Sequence, residues 1–363
     1  MNYKKFAYKS LLLFLLTLGV VSCSSDDETS YDGWTPPLTS TQGAFVLNSG
    51  KMGLNNASLA YYDKATKECN PTVFESMNNG LKLGDTAEDL YIVGDRIYIA
   101  VYNSGIIYIT DKNGKVVKKI VSKNGDNTQK PRRFASDNDY VYVTYFDGYL
   151  ARISRKTLEL DVKQVKVGNN PESVKVTNGK IYVANSGGLN YPNYDKEVSV
   201  IDVKTFTKER DIEVILNPTE LEIDRKGNVY VISNGNYKDI PNTLQRINPD
   251  YSVNELGSAT LMKIHPNGDK LYTIYAQFGA PSIDYKVYDI EARKYLDKSF
   301  VNSKIKFAAS PASLDIDPAT SNIYIGTSDY RTNAEMYIIS PADTLISSFN
   351  TGGLNPKGAF FIK

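Results

Sequence analysis

One phrase returns seven times along this chain, and its spacing constrains the fold more than any other feature. It reads AFVLN around Phe45, IYIAV around Tyr98, VYVTY around Tyr142, IYVAN around Tyr182, VYVIS around Tyr230, LYTIY around Tyr272 and IYIGT around Tyr324. Successive anchors lie 53, 44, 40, 48, 42 and 52 residues apart, a period that brackets one four-stranded propeller blade with loops of variable length.

Each unit has the same internal grammar. An inner strand A such as ESVKV (residues 172–176) meets a tight turn, then strand B with the anchor, a loop, strand C such as VSVID, a turn and an outer strand D. Turn residues stand where hairpins need them, as in GD at Gly94, RKGN at Arg225 and PNGD at Pro266, and the runs between them are rich in β-branched and aromatic residues. The chain ends on NPKGAFFIK (355–363), a strand A with no strand B after it, and the first unit opens on GAFVLN (43–48), a strand B with no strand A before it. Joining the two closes a ring and removes both unpaired edges. The expected fold is an all-β, seven-bladed β-propeller over residues 41–363, closed by pairing of the C-terminal strand with the first blade. A β-sandwich array would not need that complementary pair of ends.

Residues 1–22 read as an address. A basic start with Lys4, Lys5 and Lys9 precedes the apolar run LLLFLLTLGVV, which is shorter than the roughly 20 residues a spanning helix needs. The run leads into GVVSC, which resembles a bacterial lipobox and makes Cys23 the expected lipidated N-terminus. Residues 23–40 then read as a polar, Pro-containing tether that carries Trp34. The lipid would be the only membrane attachment. Cys69 is the one further cysteine, so no disulfide can form within the mature chain, and it reads as a free thiol at a strand start.

In a four-stranded blade the B-to-C and D-to-A connections emerge on one face, and the A-to-B and C-to-D turns on the other. The turns are mostly short here, whereas the B-to-C loops at 48–58, 185–197, 233–243, 275–284 and 327–334 are long and only those at 102–105 and 145–148 are short. That face gathers Tyr102, Asn103, Tyr145, Phe146, Asn185, Tyr191, Tyr194, Asn234, Tyr237, Tyr275, Gln277, Phe278, Tyr330 and Arg331. Tyrosine offers a rigid apolar body with a hydroxyl tip, and amides offer adaptable hydrogen bonds, so the set reads as a ligand-binding face. The chain holds 27 Tyr against 13 Phe and one Trp, a surplus that suits such a face and also suits strands. Strand A starts place Glu88, Arg132, Arg133, Glu172, Glu220 and Lys357 near the axis. They either pair with one another or grip polar groups of a ligand over the pore, and Arg132 joins the binding set on the second reading.

Several chemistries find no residues. His265, the single histidine, falls in a turn on the opposite face, which argues against a histidine triad, a histidine metal cluster and a histidine general base at the proposed site. No Gly-rich phosphate loop, calcium loop or cysteine pair for zinc stands in the sequence. No catalytic residue, no catalytic cofactor and no protein-held metal is expected, and the chain reads as a binding protein rather than an enzyme. A formal charge of +1 suggests neither nucleic acid nor an anionic membrane surface as partner.

The stretch KIYVANSGGLNYPNYDKEVSVIDVKT resembles the YVTN-repeat, YncE-like propellers. Together with the lipobox, the acidic SSDDE behind Cys23 and the aromatic loops, the chain resembles the BtuG family of surface lipoproteins of gut Bacteroidetes. That resemblance implies an outer-membrane location with the propeller facing outward and vitamin B12 (cobalamin) or a related corrinoid as ligand. It also implies a TonB-dependent, BtuB-like transporter as the partner that receives it. Cobalt would stay within the ligand. The alternative is a surface propeller that binds glycans or a protein, with the same aromatics stacking on sugar rings.

Overall fold

The structure, a computed structural model, describes residues 43–277 and 282–362. The leader, Cys23, the tether with Trp34, and Phe278 lie outside the described residues. Seven four-stranded antiparallel sheets follow one another, each in the order A-B-C-D. Blades two to seven begin with strands A at Ala87–Val93, Pro131–Ser136, Pro171–Thr177, Pro218–Ile223, Leu261–Ile264 and Ser310–Ile316. Blade one takes its strand A from the other end of the chain, Pro356–Phe360, which pairs antiparallel with Gly43–Asn48 through Phe45↔Phe360, Val46↔Ala359 and Leu47↔Gly358. The expected ring closure is therefore present.

The repeated aromatic anchor holds blade to blade. Phe45, Tyr98, Tyr142, Tyr182, Tyr230 and Tyr324 are buried at the second or third position of their strands B, and only Tyr272 is half-buried. Tyrosine rather than phenylalanine is explained where the hydroxyl meets a turn carboxylate: Tyr142 donates to Asp137 Oδ2 at 2.6 Å and Tyr230 to Asp224 Oδ2 at 3.0 Å. A buried phenol needs such a partner. Part of the tyrosine surplus thus belongs to the inter-blade core and not to the binding face.

Prolines open five of the seven strands A: Pro131, Pro171, Pro218 and Pro356 as first residues and Pro311 as second. There a missing N–H costs no ladder hydrogen bond. The register then slips just beyond the start, between Ala87 and Asp89, Pro131 and Phe134, Pro171 and Val174, Pro218 and Glu220, and Pro311 and Ser313. A bulge re-aims side chains, and these bulges hold Glu88, Arg132, Arg133 and Glu172, while Glu220 is the first paired residue after one.

Two small elements have no counterpart in the repeat pattern. A single helical turn, Val73–Met77, buries Val73 and Phe74 against blades one and two. A hairpin of Lys123–Asn124 with Asn127–Thr128 stands between blades two and three. Blade three also departs from the short-turn rule, because its strand D is only Val165–Lys166 and residues 155–164 replace the outer edge, with Leu160 bridging to Ile153. Among the described residues no helix is long and apolar enough to cross a membrane.

Candidate functional site

The axis is ionic. All seven strands A line a cavity of about 540 Å³ that reaches Pro266 and Pro318 on the turn face. Within it Lys175 and Lys263 approach Glu222 at 3.4 and 3.8 Å, and Lys263 meets Asp315 at 2.9 Å. Toward the loop face Glu88 collects Arg132 at 3.0 Å, Arg133 at 3.5 Å and Lys357 at 2.9 Å. Burial works to raise the Glu88 carboxyl, yet the fields of Lys357, Arg132 and Arg133 prevail and pull it down to about 2. Asp89 behaves oppositely. Burial outweighs Arg133 and the N–H of Phe134, and pushes its carboxyl up to about 6. Of the two readings of these axial charges, mutual pairing is the one seen.

Arg132 joins this lattice to the loop face. Its Nε donates to Glu172 Oε2 at 2.8 Å. Its guanidinium carbon lies 5.2 Å from the Tyr102 ring and 4.9 Å from that of Phe146, whose centroids are 5.6 Å apart in an edge-on arrangement. Tyr102 and Phe146 come from the two short B-to-C loops, so short loops put their aromatics over the axis. Arg132 is held from below by carboxylates and flanked by two rings.

Long loops build the rim. Tyr191 and Tyr194 from blade four and Tyr237 from blade five form a chain of edge-on rings, with centroids 6.0 and 6.1 Å apart. Tyr191 and Tyr237 are 72% and 64% exposed, as is the neighbouring Leu189 at 74%. On blade seven Tyr330 is 71% exposed with φ +61°, and Arg331 lines a groove of about 450 Å³ at the seam with blade one. Tyr275 donates to Gln277 Oε1 at 2.6 Å, so this pair is tied together at the start of the blade-six loop.

Two residues of the expected set are corrected. Tyr145 ends its strand B with the ring inside the core between blades two and three, 1% exposed. Asn185 is fully buried and donates to Ser199 Oγ at 2.9 Å. A Cβ on Gly168 would stand 2.6 Å from its Cγ, and Asn48 sits in the same way beneath Gly353. These asparagines clamp the D-to-A connection onto the blade and do not reach the face. Asn103 and Asn234 stay near the surface but spend their amides on loop structure: Asn103 donates to Asp85 Oδ2 at 2.7 Å, and Asn234 donates to Thr219 Oγ1 at 3.2 Å and accepts from Asn242 at 3.3 Å.

Sequence reasoning missed Asp85. Its carboxylate accepts from Asn103, from Thr86 at 2.9 Å and from the Gly53 N–H at 2.9 Å, so it staples the first long loop to blade two. Burial acts upward on it, but these donors hold it below the usual carboxylate range. The signal available was an Asp in the connection before strand A, opposite a Gly-rich loop.

A family model described as a domain of unknown function, DUF5074, matches residues 42–339. The chain belongs to this family. No curated protein matches the chain. Among solved structures, a quinonprotein alcohol dehydrogenase-like protein of Bacteroides thetaiotaomicron aligns at a TM-score of 0.63 with 15% identity, over 89% of this chain and 78% of its own. Hydrazine synthase of Kuenenia stuttgartiensis aligns at 0.58 with 16% identity, over 73% of this chain and 85% of its own. At that identity the likeness shows the propeller fold alone.

On the opposite face of this DUF5074 propeller, His265 contacts Ser321 Oγ at 3.2 Å and accepts from the Asn267 N–H at 3.2 Å, and burial holds its imidazole below the ordinary value. Cys69 stands at a strand start, as expected, and burial pushes its thiol up to about 12, well outside the reactive range. Among the described residues no cluster of His, Cys, Asp or Glu could hold a metal ion.

Proposed function

We propose that this chain is a non-catalytic capture protein, anchored by lipid on Cys23 to the outside of an outer membrane. Its loop face binds cobalamin or a related corrinoid and passes it to a TonB-dependent transporter. One observation supports the reading most: the distribution of exposed apolar surface. Among the described residues, the strongly exposed large apolar side chains lie in B-to-C or D-to-A connections on the loop face. The exceptions are Val117, Val162, Leu345 and Ile346 on outer strands and turns, and Leu296 low on blade six. Contiguous apolar surface on a soluble body marks an interaction site. A corrinoid is broad and amide-rimmed, and suits a wide face with tyrosine edges and a cationic Arg331 better than it suits the ion-paired axial cavity.

The test is direct. Purified protein incubated with cyanocobalamin and then desalted is expected to retain the red absorbance, and to lose it when Tyr191 and Tyr237 are both replaced by Ala. Absence of pigment from the intact protein overturns the corrinoid reading. The chain of rings from Tyr191 through Tyr194 to Tyr237 would then favour the second reading, sugar stacking, which a glycan array tests.

A further inference from the structure

Blade six has an incomplete outer edge. Its strand C, Asp284–Asp289, is paired by strand D only at Tyr288↔Tyr295 and Asp289↔Lys294, so the upper part of strand C lacks the fourth strand that most other blades supply. The chain from Leu296 onward instead crosses to blade seven, where Lys298 meets Asp343 at 2.8 Å, and then climbs the outer wall until the Ala308 N–H donates to Tyr337 OH at 2.9 Å. Behind it lies a crevice of about 440 Å³ whose apolar wall is Ile283, Tyr285, Val301, Ile305 and Phe307 and whose other half is polar, with Lys298, Ser299, Asn302, Ser303 and, at the lower lip, Asp343. Its aromatic wall is ordered: Tyr285 stands 5.9 Å from Phe307, and Phe307 packs edge-on to Tyr337 at 4.7 Å.

We propose that this crevice is the seat of Trp34, which docks the tether against the propeller. Three observations converge on that occupant. Trp34 is the only tryptophan of the chain, a large apolar ring with one donor, and such a ring in an otherwise polar segment gains by burial. Position agrees as well. Gly43 pairs with Asp63 at the turn face of blade one, Asp343 lies in a turn of the same face on blade seven, and the two blades are in contact through Tyr62 stacked on Phe349 at 4.1 Å. The crevice thus lies just beyond blade seven, on the order of two sheet spacings or ~20 Å away. Reach agrees too, since the residues from Trp34 to Gly43, WTPPLTSTQG, include Pro36 and Pro37 and extend to roughly 30 Å at about 3.1 Å per residue. The axial cavity also opens on the turn face, but Lys263, Glu222, Lys175 and Asp315 make it an ionic site, unsuited to an indole.

A docked Trp34 would shorten the free tether and fix which way the loop face looks from its anchor. The single tryptophan reports on its own position. The described residues close the ring by themselves, so a chain beginning at Ser24 keeps both propeller and Trp34. Its emission is expected to be blue-shifted and shielded from iodide relative to N-acetyltryptophanamide. Phe307→Leu and Tyr285→Ala are expected to abolish the shift and the shielding while the far-UV spectrum stays that of a folded sheet, and Lys263→Ala in the axial cavity is expected to leave both unchanged. Free-tryptophan emission from the intact chain overturns the proposal, as does a shift that responds to Lys263→Ala and not to the crevice variants. Should either crevice variant fail to fold, added indole competing for the seat in the intact chain gives the same decision by releasing the shift.

Discussion

Lys357 Nζ lies 2.9 Å from Glu88 Oε2, so the last strand of the chain is bound by an ion pair to the first strand of blade two, across the seam where the ring closes. Glu88 is also the carboxylate shared by Arg132 and Arg133. One buried anion therefore serves three cations contributed by two other strands, Arg132 and Arg133 from Pro131–Ser136 and Lys357 from Pro356–Phe360.

Replacing Glu88 with Gln should leave those cations under-compensated. Losing one partner of a buried pair costs about 3–5 kcal/mol, and urea unfolding at pH 7 measures it. The Glu88 carboxyl is held low, near 2, so its contribution to stability is present above the unfolded value and disappears as pH falls through about 2. The variant and the parent should converge in strong acid.

Asp89 carries the opposite sign. Its folded value is raised to about 6, so the neutral form is favoured on folding. That stabilisation is complete below the unfolded value of roughly 4 and is lost as pH rises through 6. Asp89→Asn keeps an oxygen to accept the Phe134 N–H, which now donates at 2.8 Å. It should be more stable than the parent at pH 7 by about 2 kcal/mol and show no gain at pH 4, as read by thermal unfolding at both values.

Tyr142→Phe removes a hydroxyl that donates to Asp137 at 2.6 Å while sparing the buried ring. A hydrogen bond to a charged acceptor contributes about 1.5–3 kcal/mol. A loss in that range with unchanged ligand binding would assign the anchor tyrosines to the core.

The loop face should divide by burial. Tyr237→Ala is expected to weaken cyanocobalamin retention about tenfold, a hot-spot loss of ~1.4 kcal/mol, without moving the melting temperature. Asn185→Ala should lower stability through the lost clamp on Ser199 and leave the affinity of the folded fraction unchanged. Calorimetric titration beside thermal unfolding separates the two effects.

Deleting residues 356–363 should open the ring. Strand Gly43–Asn48 would lose its partner and present a free apolar edge. Aggregation and a broadened unfolding transition are the expected readouts.

The blade count, the alternation of short turns and long loops, and the closing strand were all legible in the sequence. They follow from periodicity and from edge pairing, which are properties of local sequence and of chain ends. Which loop residues face outward was not legible. Tyr145 and Tyr102 stand near equivalent positions of neighbouring blades in the sequence pattern, yet Tyr145 is core and Tyr102 flanks Arg132. A one-residue difference at a strand end reverses the side on which a side chain emerges, and no spacing rule fixes that residue. The axial charges show the same division. The sequence put Glu88, Arg132, Arg133, Glu172, Glu220 and Lys357 at strand starts. The bulges decided that the neighbouring Arg132 and Arg133 would both be drawn to acidic partners, Arg132 to Glu172 and Arg133 to Glu220, because a bulge changes direction locally and its partners come from strands some 40 to 90 residues away.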